Sequence, residues 1–174
     1  MAKQLYIELL DENLISTEYL NWMNDPEVLK FTESRGKSYS IEDLKSFVST
    51  MRLSKKDYLF GIYLTDSKKH IGNIKIGNIN KEYSFADVGI ILGLKEEWGK
   101  GYATIAINLV IDYAFNVLKL DKLTAGAYSD NIGSIKALKK VGFRESSRYV
   151  YHHVYENSNI DVLKFEIINT KIKD

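Results

Sequence analysis

Three features of this sequence predict an α/β (α+β) fold. Strand-like segments recur along the 174 residues and are interleaved with helical ones. A Gly-x-Gly turn, Gly99-Lys100-Gly101, is wedged between an apolar strand and a long apolar helix. A second helix is headed by Asn131 and closed by Gly142, which suits the left-handed position after a helix end.

Taken in order, Gln4 to Leu10 alternates enough for a strand. Ser16 caps a short helix through Trp22, and Asp25-Pro26 opens another turn, with proline where its missing N–H is harmless. After the polar loop Glu33 to Lys37, Ser40-Ile41-Glu42-Asp43 opens a helix to about Met51, its first-turn acids suiting the dipole. Tyr58 to Leu64 and His70 to Gly77 read as a hairpin turning at Asp66 to Lys69. A strand from Tyr83 to Leu92 follows the turn Asn78 to Glu82. The helix Lys100 to about Leu118 is polar only along Thr104, Asn108, Asp112 and Asn116, so it packs on a sheet. A strand Lys122 to Tyr128, a helix Asn131 to Val141 and two strands, about Phe143 to Tyr155 and Ile160 to Ile168, complete the chain. Neither a repeat nor a linker interrupts it, and one domain over residues 1–174 is expected.

A formal charge of +1 gives no support for a nucleic-acid or anionic-membrane surface. The absence of cysteine excludes disulfides, thiolate zinc sites and a covalent thiol intermediate. His70, His152 and His153 have no metal-ligand spacing, so no metal is expected. Lys3, Glu8, Asp11 and Glu12 leave no secretory apolar run, and Asn108 and Asp112 break the most apolar helix. The expectation is a soluble cytoplasmic protein without nucleic-acid or membrane partners.

Two glycines one residue apart turn the backbone tightly and expose N–H groups in succession, and the following helix adds its own unpaired first-turn donors. Such a cradle suits phosphate or pyrophosphate. Gly-x-Gly alone is a weak signal; strand before and helix after make it strong.

The order of elements and three segments resemble the GNAT superfamily of acyl-CoA-dependent N-acyltransferases. The segments are Phe85-Ala86-Asp87-Val88-Gly89-Ile90, Trp98-Gly99-Lys100-Gly101-Tyr102-Ala103-Thr104, and Asn131-Ile132-Gly133-Ser134 through Lys140-Val141-Gly142-Phe143. The Trp-Gly-Lys-Gly-Tyr-Ala form and the Asn-Asp-Pro-Glu-Val run at 24–28 are similar to the ribosomal-protein (RimJ/RimL-type) branch, which also includes spermidine and amino-sugar acetyltransferases. The resemblance implies a central mixed, mostly antiparallel, twisted sheet of about seven strands, splayed after the fourth and flanked by helices. Two departures stand out: Trp98 replaces the usual Arg or Gln, and Leu138 replaces a tyrosine that serves many relatives as general acid.

The resemblance further implies acetyl-CoA as cosubstrate, its pyrophosphate on Gly99, Lys100, Gly101, Tyr102, Ala103 and Thr104 beside Trp98. Pantetheine would pair with the backbone of Ile91, Leu92 and Gly93, where the fourth strand carries a bulge, and with Asn131. Ser134 would lie near the thiol. Asn131 is equally an ordinary N-cap, and Ser134 an ordinary first-turn serine. Asp87 stands where histone-type members carry a general-base glutamate. An amine of pKa about 10.4 costs roughly 4–5 kcal/mol to deprotonate at neutral pH, so a base or water relay is needed. The plainer reading of Asp87 is a solvent-facing strand residue.

The resemblance also implies that the acceptor, a small-molecule or peptide amine, binds near the early helices and the last two strands. Phe31, Arg35 and Lys37 are its candidate contacts, or else a solvated loop. This mixed, slightly basic segment favours an amino-sugar nucleotide over a polyamine, with a protein N-terminus and a catalytically silent CoA-binding module as alternatives. Tyr149, Tyr151 and Tyr155 alternate on one strand, as packing or as an acceptor wall. Oligomeric state is left open, a homodimer included.

Overall fold

The computed structural model describes residues 5–155 and 158–170, with the backbone alone for 151–155 and 158. Its helices are α1 (Thr17–Trp22), α2 (Pro26–Leu29), α3 (Ile41–Leu53), α4 (Tyr102–Asp112) and α5 (Ile132–Lys140). Its strands are β1 (Leu5–Leu9), β2 (Tyr58–Leu64), β3 (His70–Asn80), β4 (Phe85–Leu92), β5 (Lys122–Tyr128), β6 (Arg144–Tyr155) and β7 (Ser158–Ile168). They form one seven-stranded sheet in the order β1-β2-β3-β4-β5-β7-β6. Each neighbouring pair is antiparallel except β4 with β5. A parallel pair requires a crossover, which α4 supplies.

Side-chain alternation divides the sheet into two unlike faces. One carries Phe60, Ile62, Ile74, Ile76, Ala86, Val88, Leu123, Ala125, Leu163 and Phe165, all buried. Tyr113, at the end of α4, packs edge-on against Phe60, and Gly142, just beyond α5, approaches Ile167. The other face carries Leu59, Gly61, Asn73, Lys75, Gly77, Asp87, Gly89, Ile91, Thr124, Gly126 and Lys164, glycines and polar residues apart from Leu59 and Ile91. Over its β2–β3 end lies α1, with Tyr19 and Trp22 packed against His70.

The register of β4 and β5 runs only from Phe85–Lys122 to Val88–Ala125. Beyond that rung β4 stays with β3 as far as Leu92, and β5 stays with β7 as far as Tyr128. The expected splay is therefore present. The bulge lies elsewhere, because register shifts in β3 between Gly77 and Asn80 while β4 runs unbroken. Asn78 takes φ +54° there, a left-handed conformation that asparagine tolerates.

Several boundaries also move. β4 starts at Phe85, because Ser84 is left-handed at φ +52°. The helix expected from Lys100 starts at Tyr102, since left-handed Gly101 (φ +84°) is its N-cap. It then widens into a π turn, Tyr113–Val117, with the Leu118 N–H reaching the Tyr113 carbonyl. At the end of α5, Gly142 donates to the Lys139 carbonyl and Phe143 to that of Leu138, a Schellman closure that fulfils the expected glycine role. Gln4 and the side chains of Tyr151, His152, His153 and Tyr155 lie outside the described residues.

Gly93 was expected to offer its backbone to pantetheine. Its actual constraint is steric: a Cβ there would sit 1.9 Å from the Trp22 ring. Because that indole is itself packed against Tyr19 and His70, it has no room to retreat. Gly93→Ala is expected to cost about 1–3 kcal/mol, read as a lower thermal midpoint; an unchanged midpoint would contradict this packing.

Candidate active site

A cleft of about 730 Å³ passes through the splay. Val88, Gly89, Ile90 and Ile91 form one lip, and Ala125, Gly126, Ala127 and Tyr128 the other. Asn131, Ser134 and Leu138 of the α5 region close one side. Tyr19, Phe31, Tyr39 and the loop 32–35 close the other.

Backbone direction within the lip follows from two contacts. The Gly93 N–H donates to the Ile71 carbonyl, and a Cβ on Gly72 would lie 2.4 Å from the Ile91 carbonyl oxygen. An antiparallel ladder alternates, so Gly89, Ile91 and Gly93 direct their backbone groups at β3. Ile90 and Leu92 direct theirs into the splay. The Leu92 carbonyl is capped by the Trp98 indole N–H at 2.9 Å, leaving the Leu92 N–H and both Ile90 groups to face the cleft. Of the three residues expected to offer backbone here, only Leu92 does so; Ile91 is turned into the ladder, and Gly93 is buried beneath Trp22.

At the mouth, Gly99 and Gly101 are left-handed at φ +74° and +84°. Among the described residues, no backbone N–H from Gly99 through Thr104 donates to another protein atom. The first intrahelical bond runs from Ile105 to the Gly101 carbonyl. Added Cβ atoms at Gly99 and Gly101 would meet nothing within 4 Å. This is an open row of donors at a helix start, fitted to a phosphate group. Lys100 turns back to the buried Glu97 at 2.8 Å. Trp98 fastens the loop to the end of β4 through its Leu92 contact.

Asn131 caps α5, its Oδ1 accepting the Ser134 N–H at 3.1 Å, and both side chains border the cleft. Asp87 shares the face of Gly89 but does not line the cleft. Its carboxylate accepts from Thr124 Oγ1 and, at 3.2 Å, from Asn78 Nδ2. It thereby ties β3, β4 and β5 together at the closed end of the splay. Phe31 and Arg35 line the cleft, Phe31 lying 6.4 Å from the Tyr128 ring and Arg35 donating to the Lys30 carbonyl at 3.3 Å. Lys37 is exposed and does not reach the cleft.

The sequence reading missed Tyr19, Asn73, Lys75 and Lys164, which line the same space. Burial pushes the Tyr19 phenol up to about 12, against the opposing contact of Asn73, so it remains an O–H donor. Asn73 also accepts from His70 Nε2 at 2.8 Å, and burial lowers the His70 pKa. A signal for the pair Asn73 and Lys75 was available: they occupy alternate positions among Ile71, Ile74 and Ile76 in an otherwise apolar strand.

The acetyltransferase (GNAT) domain model matches residues 6–144. The chain belongs to the GNAT acetyltransferases. It is an acetyl-CoA-dependent N-acetyltransferase of the GNAT type. An uncharacterized N-acetyltransferase, p20, of Bacillus licheniformis is 28% identical over 150 residues, covering 84% of this chain and 83% of that protein. The probable N-acetyltransferase YjcK of Bacillus subtilis strain 168 is 35% identical over 111 residues, or 62% and 61% of the two chains. The spermidine N-acetyltransferase of Vibrio cholerae, solved with CoA and spermine, superposes with a TM-score of 0.83 at 23% identity over 97% of each chain, a likeness of fold.

The glycine loop of this GNAT chain yields a direct test. Gly101→Val imposes a β-branched side chain on a left-handed residue and fills the space before the donor row. Calorimetry is expected to show loss of CoA binding in the folded variant. Wild-type affinity would contradict the cradle.

Proposed function

We propose that this chain transfers acetyl from acetyl-CoA directly to a primary amine held in the cleft, within the RimJ/RimL-type branch of the family. What supports this reading most is the union of an open donor row at the helix start with a splay bordered by unpaired backbone. The residues present fit the cosubstrate. Gly99 to Thr104 hold its pyrophosphate, Asn131 and the Leu92 and Ile90 backbone hold its pantetheine arm, and the Leu92 N–H reaches the thioester oxygen. The arriving amine forms a C–N bond as the C–S bond breaks. The nitrogen loses a proton, and the departing sulfur gains one.

Asp87 takes that proton through water. Its two protein donors leave lone pairs unused, since a carboxylate has about four acceptor positions. It also shares the sheet face onto which the cleft opens. Ser134, at the head of α5, stands beside the leaving sulfur. Leu138, buried at the position of the family tyrosine, contributes no proton.

A polyamine acceptor is a second reading, favoured by a spermidine N(1)-acetyltransferase of Vibrio cholerae that is 29% identical over 107 residues, or 61% of each chain.

Asp87→Asn preserves size and the hydroxyl contact with Thr124 while removing the base. Turnover is expected to fall about 100- to 10,000-fold, with acetyl-CoA affinity retained. Wild-type turnover across pH would reduce Asp87 to a tie between strands.

A further inference from the structure

Four residues stand in one row across the splay. Lys75 on β3 is paired with Gly89 on β4, and Gly126 on β5 with Lys164 on β7. Gly89 and Gly126 are the first residues past the last parallel rung, Val88–Ala125. The row thus reads lysine, glycine, glycine, lysine, all on the polar face. At Gly89 an added Cβ would meet nothing within 4 Å. The centre of the row is open floor, with a lysine rooted at each end.

Both lysines are half-buried, and each lies over a glycine. Lys164 Nζ is 3.4 Å from the Cβ position of Gly126, whereas Lys75 runs along its own strand, its Nζ 3.2 Å from the Cβ position of Gly77, to which Asp57 Oδ1 also comes within 3.0 Å. Lys164 also lies over the Tyr149 ring at 5.6 Å. Among the described residues, no carboxylate oxygen lies within 4 Å of either ammonium. Glu166 pairs with Lys122 at 3.6 Å, while Asp57 and Asp87 accept only from neutral donors, Ser54 at 2.6 Å for the first and Thr124 and Asn78 for the second, and keep their charge on the Lys75 side of the row. Arg35 adds a third cation to the cleft wall, and Glu33 is the one acid among the described lining residues.

We infer that Lys75 and Lys164 form an anion subsite, and that the acceptor is an amine whose own molecule carries a phosphate or carboxylate. This rests on the acetyl-transfer reading above and supplies its missing substrate class. Neighbouring strands are about 4.8 Å apart before the splay widens them, which puts the two lysine Cα atoms at least about 14 Å apart, so Lys164 reaches the row from above Gly126 and Lys75 meets the same anion by swinging from Gly77 toward Gly89. The acceptor's anion is then fixed over Gly89 and Gly126 while its amine reaches the Ile90–Leu92 lip. A polycation would instead bring its second charge against these ammoniums, which disfavours it.

Calorimetry on CoA-saturated protein tests this, because CoA keeps the glycine loop occupied. The probes are glucosamine 6-phosphate, glutamate, glucosamine and spermidine. Glucosamine 6-phosphate or glutamate is expected to bind at least about tenfold more tightly than glucosamine and spermidine, since charge-assisted contacts carry that order of discrimination. Which of the two anions wins separates a phosphate from a carboxylate source. Lys75→Met and Lys164→Met should each remove most of that advantage, Lys75→Arg should retain it, and exposed Lys45→Met should leave it intact. CoA binding in the same cell reports that each variant is folded. Tightest binding by spermidine, or an anionic preference surviving both methionine variants, would overturn the subsite. A wild-type protein that fails to bind CoA would instead overturn the acetyl-transfer reading.

Discussion

The site depends on one interrupted pairing. β4 and β5 exchange backbone bonds only to Val88 and Ala125, then each follows a different antiparallel partner. Unpaired backbone inside a protein is costly, so an opening of this kind persists only where the sequence holds it. Here β3 and β7 hold the strands apart by claiming their other edges. Asp87, through Thr124 and Asn78, fastens the last closed rungs. Trp98 satisfies the Leu92 carbonyl that would otherwise be stranded, and in doing so seats the glycine loop at the end of the same strand.

This arrangement places two kinds of recognition side by side. In the proposed reading the loop and the lip act through backbone N–H groups, whose positions are set by fold and by two left-handed glycines. The polar sheet face acts through side chains, and glycine at 77, 89 and 126 clears floor beneath and between them. Backbone recognition suits the invariant part of a cosubstrate. Side-chain recognition can differ from one relative to another, which is why a likeness of fold to a spermidine enzyme leaves the acceptor to be argued from Lys75, Lys164 and Arg35.

Much of this was legible in the sequence because it depends on local conformation. The Gly99–Gly101 turn, the Asn131 cap and the Gly142 closure each require a residue type at one backbone position, and each is found there. The Gly93 contact was not legible: the residue that forbids a side chain is Trp22, far away in sequence. Nor could the sequence locate the bulge at Asn78 rather than in β4, since register depends on which strand carries the extra residue. Alternation hinted at Lys75, but its alignment with Gly89, Gly126 and Lys164 exists only once four strands are placed in register. Lys37 was drawn in with Arg35 by proximity along the chain, and the loop turns it outward.

Amide hydrogen exchange with and without acetyl-CoA tests the central claim most directly. The account predicts new protection at Leu92 and Ile90 and across Gly99 to Thr104, with Ile91 and Gly93 unchanged because their N–H groups already belong to the β3 ladder. Protection confined to other parts of the sheet, with the Leu92 amide and the glycine loop still exchanging freely, would contradict it.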